Sequence, residues 1–138
     1  MSLSDLFDDL VRVEIVLWDA VDRRVRADVG LPLGRVEALR VVATTSPCRV
    51  QEVAVTLRIT VGAASKLTDR LVAGGLVQRQ AHPSDRRSSL LRPTDAGERA
   101  HAAATTAIED ELGRLLGDDD VAALGTALAG LRDRLAQR

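Results

Sequence analysis

The chain has 138 residues, 19 of them basic and 20 acidic, for a net charge of −1; this is about one domain's worth of sequence, long enough for one sizeable core. No run of about 18 apolar residues occurs, which argues against a membrane span, and a single cysteine, Cys48, excludes an intrachain disulfide framework and fits a reducing cytoplasm. The first acidic residues (Asp5, Asp8, Asp9) follow no basic segment ahead of an apolar one, so no secretory leader is expected.

Leu3, Leu6, Leu10, Val13, Leu17 and Val21 recur at three- and four-residue spacing. They predict one apolar stripe along a helix from about Ser4 to Asp28, which also carries Trp18, the single tryptophan. Gly30-Leu31-Pro32 interrupts the pattern, and Leu33 to Thr45 reads as a second helix closed by Ser46-Pro47. Val50 to Leu57, a break at Arg58-Ile59-Thr60, and Val61 to about Ala73 then form two short helices joined by a three-residue turn. That is a helix-turn-helix pattern. Val50, Val53, Ala54 and Leu57 supply the inward face of its first helix, and Ala54 is small where the two helices cross. Thr60 is a good N-cap for the second helix, whose Ala64, Leu67 and Leu71 face inward.

The outward face of that second helix offers Val61, Gly62, Ala63, Ser65, Lys66, Asp69 and Arg70. Small residues at its start let a helix sit deep in the major groove of DNA, and Ser65 and Lys66 can reach base edges or phosphates. Arg58 stands where such turns often carry glycine; it is accommodated if the turn avoids positive φ, and it can add a phosphate contact. Two strand-like runs, Leu76 to Ala81 and Ser88 to Arg92, flank the turn-forming His82-Pro83-Ser84-Asp85, which leads into Arg86 and Arg87. This predicts a hairpin with two guanidinium groups at its tip. Pro93 ends the second strand and pre-sets entry to the following helix. Further on, Gly117 stops one helix and Asp118 caps the next, with Asp119 and Asp120 in its first turn. Val121, Leu124, Leu128, Leu131 and Leu135 give that last helix an apolar stripe of its own.

The charges are unevenly placed. From Arg49 to Arg92 eight basic residues stand against three acidic ones, a net +5, while the rest of the chain carries −6. A basic middle between acidic ends is the footprint of a phosphate-binding lobe on a scaffold that does not bind phosphate. The two end helices, with narrow apolar stripes, bury them most economically against the same helices of a second copy; packing within one chain is the competing account.

The run Ile59 to Leu71, with Asp69-Arg70-Leu71 near the helix end, Gly75-Leu76-Val77 entering the hairpin, Asp85-Arg86-Arg87 at its tip and Thr94-x-x-Gly97 beyond it, resembles the MarR family of winged-helix transcriptional regulators. The order of elements matches over essentially the whole chain. The resemblance implies a mostly α fold with a small β-hairpin wing (α+β): a single domain over 1–138, with a winged helix-turn-helix lobe at 33–93 between dimerisation helices at 1–30 and 95–138. It implies a homodimer on a pseudo-palindromic operator, with repression the expected sign, in the bacterial cytoplasm. Thr60, Gly62, Ala63, Ser65, Lys66 and Arg70 would face the groove. Arg87, or Arg86, would enter a minor groove with Asp85 bracing the tip, and Arg79 is among the arginines expected to hold phosphates. Leu6, Leu10, Val13, Leu17, Leu124, Leu128, Leu131 and Leu135 would form the dimer interface.

The family resemblance also implies a small aromatic or phenolic-acid effector, held between the dimer helices and the DNA-binding lobe. Trp18 is the candidate contact, with a core or interface tryptophan as the competing reading; Arg12 or Arg40 would be the partner of a ligand carboxylate. Two alternative functions are a winged-helix protein-interaction module and a thiol-based redox sensor using Cys48. A buried, inert Cys48 is the reading its position between the second and third helices favours. No cofactor is expected: His82 and His101 have no companion ligand at zinc spacing. The Asp118 to Asp120 cluster is explained by the helix dipole, and no Gly-rich phosphate loop or nucleophile–base pair suggests an enzyme.

Overall fold

The computed structural model describes residues 1–80 and 88–138, and these hold six helices and one two-stranded antiparallel sheet. Helix α1 (Leu3–Val29) starts in a capping box: Ser2 Oγ accepts from the Asp5 amide, and the Ser2 amide donates to the Asp5 carboxylate. It ends at Gly30, whose φ of 76° is the left-handed conformation that glycine adopts without strain. Helix α2 (Leu33–Thr44) has no capping side chain of its own at Pro32. Asp22 on α1 takes that role, its Oδ1 accepting from the Leu33 amide at 2.8 Å. That bond and the ion pair to Arg26 hold the Asp22 carboxyl below its ordinary range.

Helix α2 is the hub, with Leu33, Val36, Ala38, Leu39, Val41 and Val42 all buried. One side of it joins Val21 and Val25 of α1 and Ala104 and Ala107 of helix α5 (Asp95–Leu115). Its other side joins Val53 and Ala54 of α3 (Val50–Leu57), Ala64 and Leu71 of α4 (Val61–Ala73), and Val77 and Leu91 of the sheet. Two cores therefore share one helix. Both bounds of α3 and α4 fall where the residue pattern put them, and the Thr60 hydroxyl caps α4 by accepting from the Ala63 amide at 3.1 Å.

The turn between α3 and α4 corrects one expectation. Arg58 does not avoid positive φ; it sits at φ 53°, ψ 47° and closes α3 in the left-handed region. The Ile59 amide then returns to the Ala54 carbonyl at 3.0 Å, the bond that ends a helix in this conformation. Geometry at the helix end prevailed over the side-chain preference at this position.

Strands β1 (Val77–Gln80) and β2 (Leu90–Pro93) pair with Val77 opposite Pro93 and Gln80 opposite Leu90. They are shorter than the predicted runs, since Leu76, Ser88 and Ser89 lie outside them. The Leu91 amide donates to the Cys48 carbonyl at 2.8 Å, tying the sheet to the entry of α3. Beyond β2 the Thr-x-x-Gly motif has a mechanical meaning. Thr94 caps α5 by accepting from the Gly97 amide and donates its own hydroxyl to the Gly75 carbonyl. A Cβ at Gly97 would collide with the Leu76 carbonyl oxygen, so only glycine lets α5 pass the base of the hairpin.

A second correction concerns α6 (Asp118–Leu135). Its N-cap is Gly117, and Asp118 is already helical. Asp120 closes the end by accepting from the Gly117 amide at 3.1 Å, so the acidic triplet fills the first turn together. None of the residues of α6 is buried.

Candidate nucleic-acid interface

Helix α4 buries Ala64, Thr68 and Leu71 and turns the opposite face outward. Thr60, Val61, Gly62, Ala63, Lys66, Asp69 and Arg70 are exposed there and Ser65 is half-buried. Thr68 was missed as an inward position because its hydroxyl disguises it; buried, it donates to the Ala64 carbonyl at 2.8 Å and so leaves no polar group unmet. The predicted groove-facing residues of α4 thus share one continuous surface. The tip residues Asp85, Arg86 and Arg87 lie outside the described residues.

Arg79 on β1 is not a free cation. Its guanidinium meets the Asp69 carboxylate of α4 at 2.6 Å, with the Arg79 side chain only 26% exposed. The pair straddles the Gly74-Gly75 turn, where Gly75 has a φ of 73°. It joins the outer face of the helix to the hairpin. Sequence spacing gave no signal for it, because no helical or strand period relates residues ten apart across a turn.

The end helices present a second kind of surface. On α1 the exposed apolar residues include Leu3, Leu6, Leu10 and Val13, and on α6 Val121, Leu128, Leu131 and Leu135. Leu17 and Leu124 are half-buried. Between these helices, α2 and α5 lies an apolar cavity of about 610 Å³. Leu17, Trp18, Val21, Ile108, Leu112 and Leu128 contribute to its wall, and Glu14, Glu37 and Arg40 are its charged side chains. Trp18 is 47% exposed and so is not a core residue of the isolated chain. Arg12 pairs with Asp8 at 2.8 Å and does not line the cavity.

Two further groups mark what the surfaces rest on. Glu111, 7% exposed, accepts from Arg114 at 2.7 Å and from Arg24 of α1 at 3.5 Å. The Arg114 bond, more than any other interaction, keeps its carboxyl below the usual glutamate range. Cys48 is 1% exposed, and burial, helped by the nearby Glu52 charge, pushes its thiol up to about 11. A buried thiol with so little thiolate at neutral pH is a poor nucleophile. Among the described residues, no group of three or more His, Cys, Asp or Glu side chains is arranged to hold a metal ion, and no helix is long and apolar enough to cross a membrane.

Residues 29–88 match the family model of the MarR family. The multiple antibiotic resistance protein MarR of Escherichia coli (strain K12) is 32% identical over 137 residues, covering 89% of this chain and 92% of that protein. Among solved structures, CouR from Rhodococcus jostii RHA1 bound to p-coumaroyl-CoA is similar with a TM-score of 0.76 and 27% identity, over 98% of this chain and 92% of that one. Sco3205 from Streptomyces coelicolor, a MarR family transcriptional regulator in complex with DNA, has the same fold, with a TM-score of 0.76 at 22% identity, covering 98% and 93%.

Proposed function

The chain belongs to the MarR family of transcriptional regulators, and from that premise we propose that it acts as a homodimeric repressor that reads a pseudo-palindromic operator and releases it on binding a small molecule. The observation that carries the DNA-reading part is the outer face of α4, where small residues and Lys66 stand exposed within the basic part of an otherwise acidic chain. Thr60, Gly62, Ala63, Ser65, Lys66 and Arg70 are the groove-side residues in this reading, and Arg86 or Arg87 is the minor-groove contact braced by Asp85. Sco3205, solved with DNA, is a precedent for the fold on a duplex.

The dimer is supported by the exposed leucines of α1 and α6. A monomer that leaves two stripes of such residues in water forgoes apolar burial at roughly 25 cal/mol per Å². Leu6, Leu10, Val13, Leu17, Leu124, Leu128, Leu131 and Leu135 would meet their counterparts in the second copy. Two lobes held in this way fit two half-sites of a palindrome.

Release by an effector is supported by the cavity beside Trp18, whose volume lies in the range of small-molecule sites. Its wall is apolar apart from Glu14, Glu37 and Arg40; the apolar part suits an aromatic ring, and Arg40 can pair with a carboxylate on it. CouR, solved with p-coumaroyl-CoA, is a relative that holds an aromatic acyl ligand.

A mobility shift with the DNA upstream of the protein's own gene tests the first part. Saturable binding that weakens steeply with salt is expected; no shift at low salt, or a shift indifferent to sequence, refutes it. Tryptophan emission tests the second part, because Trp18 is the only reporter. An aromatic acid that quenches it should also loosen the DNA complex, and quenching without loosening would separate binding from release.

A further inference from the structure

We infer that Val61 is a specificity-determining residue that reads a thymine methyl group in each operator half-site; this rests on the reading of α4 as the groove-entering helix. In the first turn of α4 the exposed residues are Val61, at 53%, Gly62, which has no side chain, and Ala63. The one hydroxyl at this end, on Thr60, accepts from the Ala63 amide and keeps its own proton to donate. The next side chains on this surface able to hydrogen-bond are Ser65 and Lys66, a full turn further on. What faces the Val61 side chain itself meets hydrocarbon, beside the Thr60 hydroxyl and the first amides of the helix.

The fold does not require these residues. A Cβ at Gly62 would touch only the Thr60 hydroxyl, at 3.9 Å, and Gly62 is not among the glycines with positive φ. Glycine weakens a helix relative to alanine, and neither packing nor backbone geometry explains it here. Val61 is likewise outside the buried core, and its branched side chain is half in solvent. A missing side chain beside an exposed apolar one is what close approach to an apolar feature of the groove requires. In the major groove the base pairs present hydrogen-bonding groups and one apolar group, the C5-methyl of thymine. The Val61 side chain thus has one apolar partner among the base edges, the methyl group of thymine.

The experiment is selection of bound duplexes from a random pool, followed by replacing each thymine in turn with deoxyuridine, which removes only the methyl group. We expect one symmetric pair of positions where the replacement weakens binding about fourfold per half-site, the effect of withdrawing one methyl group from apolar contact. Val61→Ser, at an exposed position, should fold normally by circular dichroism and lose the sensitivity at that pair alone. Val61→Thr, which keeps one methyl, should retain part of it. A selected site with no such pair, or sensitivity unchanged in Val61→Ser, overturns the inference while leaving DNA binding intact. A pool from which no sequence is enriched overturns the DNA-reading function itself.

Discussion

Arg58 holds a backbone conformation in which an L-residue is strained by about 1 kcal/mol or more and glycine is not. Arg58→Gly should therefore raise the stability of the fold by up to about 1 kcal/mol in urea denaturation, even after the added flexibility of the unfolded chain is counted. If the guanidinium also holds a phosphate, the same variant lowers the salt slope of DNA binding by about one per bound chain, about two for the dimer. Gly97 is the opposite case. Its missing Cβ makes room for the Leu76 carbonyl, and Gly97→Ala should cost about 3 kcal/mol, because backbone and not a flexible side chain must move. A Gly97→Ala protein with unchanged thermal stability would mean that α5 and the hairpin are not packed as described.

Between elements, ion pairs add to the ties that the apolar cores make. Asp69 and Arg79 tie the outer face of α4 to β1, and we propose that this tie aims the hairpin relative to the helix. Asp69→Ala removes a negative charge from a face proposed to meet phosphate, which by charge alone would tighten binding. We expect weaker binding instead, with partial recovery in the exchanged pair Asp69→Arg, Arg79→Asp; tighter binding in the single variant would show that the pair does not set the hairpin. Glu111 joins α1 to α5 through Arg24. Its folded value lies below the ordinary 4.5, so its contribution is complete above that pH and declines as pH falls through the folded value. Denaturation midpoints should drop on acidification below about pH 4.5 in the wild type, and less steeply in Glu111→Gln.

Much of this was legible from residue spacing. The bounds of α3 and α4, the cap at Thr60, and the two bare stripes followed from period and turn chemistry, because each depends on neighbours in sequence. What escaped depended on contacts between distant segments or on local strain. Asp22 capping α2 from α1, Asp69 binding Arg79 across a turn, and Gly97 making way for Leu76 are each invisible until the chain is folded. Arg58 and the Gly117 cap were misread for another reason: residue preference at a helix end is weaker than the geometry the end must adopt.

For the whole molecule, a net charge of −1 conceals a division of labour. The basic segment 49–92 spans α3, α4 and the hairpin, and the acidic remainder lies mostly in the helices that leave leucines exposed. Association through those leucines would place two basic lobes side by side and turn two weak contacts into one strong one. Leu128→Asp, which puts a charge into the α6 stripe, should yield monomers by light scattering with helix content preserved. Dimers that persist would place the interface elsewhere.

The most direct test of a paired DNA reader is to titrate a duplex carrying the full selected palindrome, and one carrying a single half-site, and to count bound chains by sedimentation. Two chains should bind the palindrome at least about a hundredfold more tightly than the half-site. One chain per duplex, with equal affinity for both, would contradict the account.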